Sequence, residues 1–214
     1  MSDELGISIM MGKEDSIPEG PQFPSDIAVR ADKKGPQTVA ILLLLGAILI
    51  AGQAYGDWQL NSTQDLSNSE AEEILIALNS QDGEELSVED YQDFHDAARD
   101  SGGYLLRASG LGLAAVLMLI GAPLLFKLNP LGAKLSIAGA SIGFLGGVAG
   151  SYQLNQAAIE TLHGPLSFTY EIMMYLCGVC MATCVALAVM PLFNVAARMA
   201  LYGEDKVALI QEQE

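Results

Sequence analysis

Four blocks of apolar residues divide this chain, at Thr38 to Ala54, Tyr104 to Phe126, Leu135 to Tyr152 and Ile172 to Phe193, with polar and acidic residues between them. A helix crossing a hydrocarbon layer about 30 Å thick needs about 20 apolar residues at 1.5 Å each, and every block is near that length. The pattern predicts an all-α integral membrane four-helix bundle. Its parts are a cytoplasmic tail over 1–36, spans at 37–56, 104–127, 131–152 and 171–195, an external segment at 57–103, an external loop at 153–170 and a cytoplasmic tail at 196–214.

The external segment carries two short amphipathic patterns. In SNSEAEEILIALNS, Ser69 caps and Glu72 reaches back, while Ala71, Ile74, Leu75 and Leu78 recur at helical spacing. After a turn at Asp82-Gly83, Ser87 caps a second helix with Asp90 three residues on, and Leu86 staples against Tyr91. Val88, Tyr91, Phe94 and Ala98 form its apolar stripe. This predicts an external acidic helical hairpin. It is not a calcium loop: placing Gly83 at position 6 of an EF-hand puts Leu78, which has no ligand oxygen, at position 1. Asn61-Ser62-Thr63 matches a glycosylation acceptor on that side.

Composition sharpens this picture through charge. The 214 residues are 51% hydrophobic yet carry a formal charge of -16, so acids and apolar residues are segregated. The acidic surface excludes nucleic acid as a partner. Arg30, Lys33, Lys34, Lys127, Lys134, Arg198 and Lys206 fall on one side of four crossings, whereas Tyr55 to Gly103 holds only Arg99 and Gln153 to Tyr170 holds no base. The side rich in Lys and Arg is the cytoplasmic one, which places both termini there in the cell membrane. Tyr55, Trp58, Tyr104, Tyr152, Phe168 and Tyr170 cluster at the outer borders, where amphipathic rings prefer to lie. The first block follows a polar tail of more than thirty residues and is read as a retained anchor rather than a signal peptide. That tail, with three prolines and a glycine in SIPEGPQFPSD, has no helical or strand periodicity.

In the third span Gly139, Gly143 and Gly147 recur every four residues, with Gly146 and Gly150 on the neighbouring stripe. Such spacing lets helix backbones approach closely. It places this span centrally, or alternatively at the contact of a homo-oligomer or of other membrane subunits. Pro123, close to the inner end of span two, is positioned to kink that helix. Two charges enter the spans: Arg107 either pairs with Glu171 across the outer rim or snorkels to the interface.

All three cysteines lie in YLCGVCMATC of span four, and Cys177, Cys180 and Cys184 at i, i+3 and i+7 are expected on one face. A CxxC pair can exchange electrons with a disulfide or a quinone, while free cysteine also packs as a small apolar residue. No metal is expected, because the thiols on one helix lack a fourth ligand and neither His95 nor His163 is near in sequence. Four spans, a long external segment after the first, cytoplasmic termini and a CxxC in the outer part of span four resemble the vitamin K epoxide reductase family. That resemblance implies a thiol oxidoreductase with Cys177 and Cys180 as the catalytic pair beside a quinone. The family's second, external cysteine pair has no counterpart between Tyr55 and Gly103.

Phosphate loops, nucleotide fingerprints, zinc-protease helices and serine elbows are absent from the sequence. His163 is expected in a loop, and His95 beside the apolar stripe of the second external helix. The first reading is a non-enzymatic multi-pass protein without a cofactor, a scaffold or subunit of a membrane complex. The second is a thiol-disulfide oxidoreductase using Cys177 and Cys180 with a quinone.

Overall fold

The computed structural model describes residues 30–63, 69, 75–76, 87–162 and 165–203. Among them the chain is all-helical: α1 (Lys34–Ser62), α2 (Val88–Asp100), α3 (Gly103–Phe126), α4 (Pro130–Thr161), α5 (Pro165–Phe193) and α6 (Val195–Tyr202). The helices α1, α3, α4 and α5 are long and apolar enough to cross a membrane.

Local chemistry fixes where these helices begin and turn. The Asp32 carboxylate accepts the N–H groups of Lys34 and Gly35 at 3.0 and 3.1 Å, and Pro36, which needs no partner for its nitrogen, follows in the first turn of α1. Between α2 and α3 the backbone reverses at Gly102, whose φ of +74° is open to glycine and strained for most other residues. The α3–α4 turn sets Leu128 at φ +59°; the Asn129 side chain then caps Leu131 N–H at 2.9 Å and Pro130 opens α4. Pro123 lies in the last turn of α3, which ends three residues later.

The central pair is α3 against α4, and glycine is the reason they meet closely. A Cβ on Gly110 would lie 2.7 Å from the Gly146 Cα, and one on Gly150 would lie 2.7 Å from the Arg107 backbone nitrogen. Of the predicted stripe, Gly139 faces Ala114 and Met118 of α3, Gly143 faces Ala114 and Met181, and Gly147 faces Leu111 and Cys177. All three are buried within the chain, so this stripe packs α3 and α5 onto α4. Around it Leu43, Ala47, Leu111, Met118, Leu125 and Ala188 form the first hydrophobic core.

A second core sits at the other end of the bundle. Ser87 and Asp90 cap α2 reciprocally, at 3.2 and 3.0 Å, as the sequence predicts, and Tyr91, Phe94 and Ala98 are buried. They pack with Tyr104, Leu154, Ala157, Ala158, Leu162 and Leu166. This differs from the sequence reading, which ends span three at Tyr152 and places 153–170 in an external loop. In the structure α4 runs unbroken to Thr161, because QLNQAAIET holds no glycine or proline and repeats its apolar residues at helical spacing. Of the predicted first external helix, Ser69, Leu75 and Ile76 are helical and Leu75 joins this second core. The rest of that helix, the Asp82-Gly83 turn, Leu86 and His163 lie outside the described residues.

Candidate functional site

Of the buried polar side chains among the described residues, Asp57, His95, Ser151 and Asn155 lie toward the α2 end, and Ser136 lies at the other. Asp57 belongs to the segment YGDWQL, which a hydropathy reading assigns to the external region. α1 nevertheless continues through it to Ser62 and carries Asp57 into the packed interior, 3% exposed. Opposite, α3 presents Arg107. Its Nε donates to Asp57 Oδ2 at 2.7 Å and its Nη2 to Asp57 Oδ1, a two-pronged pair with the side chains 14% and 4% exposed. A planar guanidinium matches a carboxylate in this way, and inside an apolar bundle neither charge is tolerable alone. This corrects the sequence reading of Arg107. It neither snorkels nor binds Glu171, and among the described residues Glu171 belongs to no ion pair. Arg107 is tied to span one, because the helical extension of α1 puts a carboxylate in reach.

α2 is fastened to the same region. His95 is 1% exposed, with Nε2 at 3.1 Å from the Thr63 carbonyl and its ring 5.6 Å from that of Tyr104. Arg99 donates to the same carbonyl at 3.1 Å and pairs with Asp96 at 3.1 Å. Two side chains of α2 thus satisfy the carbonyl at the C-terminal end of α1, where donors and cations are favoured. Phe94 packs against Tyr170 of α5 with the rings tilted and their centroids 4.5 Å apart. Ser151 and Asn155, one turn apart on α4, are buried, and Ser151 Oγ and Asn155 Oδ1 have no hydrogen-bond partner among the described residues.

The cysteines divide where a single face is expected. Cys177 is half-buried, its sulfur 3.4 Å from where a Gly147 Cβ would stand, and Cys184 is buried, 3.7 Å from the equivalent point on Gly46. Cys180 is exposed. At 100° per residue, positions 177 and 184 lie only ~20° apart around the helix, whereas 180 lies ~60° off Cys177. α5 buries a narrow strip, so that offset carries Cys180 out of it. All three are free thiols.

No family model, curated protein or solved structure matches this chain. Asp57 and Arg107 neutralise one another, so neither offers a free charge to a substrate. No group of three metal-ligating side chains occurs among the described residues. A concavity of about 880 Å³ forms an apolar groove between α4 and α5, lined by Phe144, Val148, Tyr152, Tyr175, Val179 and Ala182. The sequence singles out Arg107 and the thiols but misses Asp57, whose signal was an acid continuing the helical register one turn beyond Gln53.

Proposed function

We propose that this chain is a non-enzymatic multi-pass protein of the cell membrane, a scaffold or subunit of a membrane complex. Its termini are cytoplasmic, and α2 belongs to an acidic helical hairpin outside. The observation that carries this reading is the shallow attachment of span four. Only 17% of its apolar window is buried, against 33% to 39% for the other three. Ile172, Met173, Tyr175, Leu176, Val179 and Met190 stay exposed along it. An apolar helix costs nothing when it faces lipid, but it also offers another span a long surface on which to pack. The charged groups in the bundle support the same reading, since Asp57 and Arg107 serve to hold helices together.

The test is the size of the particle extracted from native membranes in mild detergent. This reading expects a defined assembly well above the 22.6 kDa of the chain. A monomer in several mild detergents would oppose it.

The second reading is supported by Cys177 and Cys180, which are free thiols one helical turn apart on α5. In that reading the Cys177 and Cys180 thiols form a disulfide, and the two electrons and two protons reduce a quinone to its hydroquinone. Counting alkylatable thiols with and without reductant, and after adding a quinone, separates the two readings. An oxidoreductase loses two thiols on quinone addition; a scaffold loses none.

A further inference from the structure

Charge is partitioned along the bundle. Asp32 N–H donates to the Ala196 carbonyl at 2.9 Å and Gln37 Nε2 to the Phe126 carbonyl at 3.3 Å, so the start of α1, the end of α3 and α6 share one end. Six bases stand there: Arg30, Lys33 and Lys34 at the entry to α1, Lys127 closing α3, Lys134 early in α4 and Arg198 on α6. Arg198 is half-buried and the other five are exposed. Asp32 is the one described acid at this end, and its carboxylate is engaged by backbone N–H groups. Among the described residues none of the six bases is in an ion pair, whereas at the opposite end Arg99 and Arg107 are both paired. The bases ring the end of the bundle instead of converging on a pocket. The cleft at this end is only about 50 Å³, with Pro36, Val39, Met190 and Pro191 among its lining. Apolar surface lies immediately beside the ring: Phe193 is 82% exposed, and α6, capped by Asn194, buries only Ala197 and Leu201.

We propose that this ring is a binding surface for anionic phospholipid headgroups, with Lys33, Lys34 and Arg198 at its α1–α6 side and the exposed Phe193 beside the acyl chains. Spread cations next to apolar surface match a bilayer face, where each base near an anionic membrane adds attraction. A soluble phosphate would instead require donors gathered around one point. The inference rests on reading the four long helices as membrane spans.

The full chain is reconstituted into bilayers of equal phosphatidylcholine and phosphatidylglycerol and extracted gently, and the retained lipids are counted by native mass spectrometry. Retained lipid is expected to be enriched in phosphatidylglycerol. The Lys33→Gln, Lys34→Gln, Arg198→Gln triple variant is expected to lower that enrichment by at least about tenfold, and millimolar inorganic phosphate is expected to leave it unchanged. Three results would overturn the proposal. They are no enrichment in the unmodified protein, as when the acids of 1–29 and 204–214 occupy the bases; full enrichment in the triple variant; or enrichment stripped by phosphate. In each case retained phosphatidylcholine leaves the spanning reading intact. Retention of no lipid at all would remove that reading and this proposal with it.

Discussion

Asp57 and Arg107 hold the most consequential side-chain contact in the bundle, since each is buried and satisfied by the other. Removing one partner leaves an uncompensated charge, so Arg107→Ala should lower stability by about 3–5 kcal/mol. The double variant Asp57→Leu, Arg107→Met should recover most of that loss. Denaturant titration in detergent measures both, and an Arg107→Ala protein as stable as the parent would contradict the pairing. Glycines give a sharper contrast. Gly150→Ala forces a methyl group onto the Arg107 backbone and should cost about 1–3 kcal/mol. Gly52→Ala meets nothing within 4 Å and should be neutral or stabilising by up to about 1 kcal/mol. At this scale Arg107 was legible because a charge inside an apolar block stands out. Asp57 was not, because hydropathy falls away after Ala54 while the helix continues.

The helices show which signals survive from sequence to structure. The Ser87–Asp90 cap was legible because all its atoms come from four consecutive residues, and Tyr91, Phe94 and Ala98 face inward as their spacing requires. Ser87→Ala should therefore weaken α2 by about 1 kcal/mol, raising amide exchange over 88–100 about fivefold while α3 stays protected. Uniform protection in that variant would show that the cap contributes nothing. The end of α4 was misread for the same reason as the end of α1. A membrane span stops where apolar residues stop, but a helix stops at a breaker or a cap, and none intervenes before Leu162. The cysteine face was misjudged differently: helical spacing gives angles, but the width of the buried strip depends on how deeply α5 packs, which only tertiary contacts reveal.

At the scale of the whole molecule, the four apolar blocks and the sorting of charge were visible from the start, and the four long helices answer to the blocks. Arrangement was not visible. Glycine stripes announce close packing without naming the partner, and here they face α3 and α5 of the same chain. The central claim is that α2 and the six-base ring lie on opposite sides of a bilayer, with the ring inside. It is tested most directly by labelling single cysteines in intact cells with a membrane-impermeant maleimide, after Cys177, Cys180 and Cys184 are changed to alanine. Ser101→Cys, exposed after α2, should label in intact cells, and Lys127→Cys, exposed at the end of α3, should label only after permeabilisation. Equal labelling of the two sites, or the reverse order, would contradict the account.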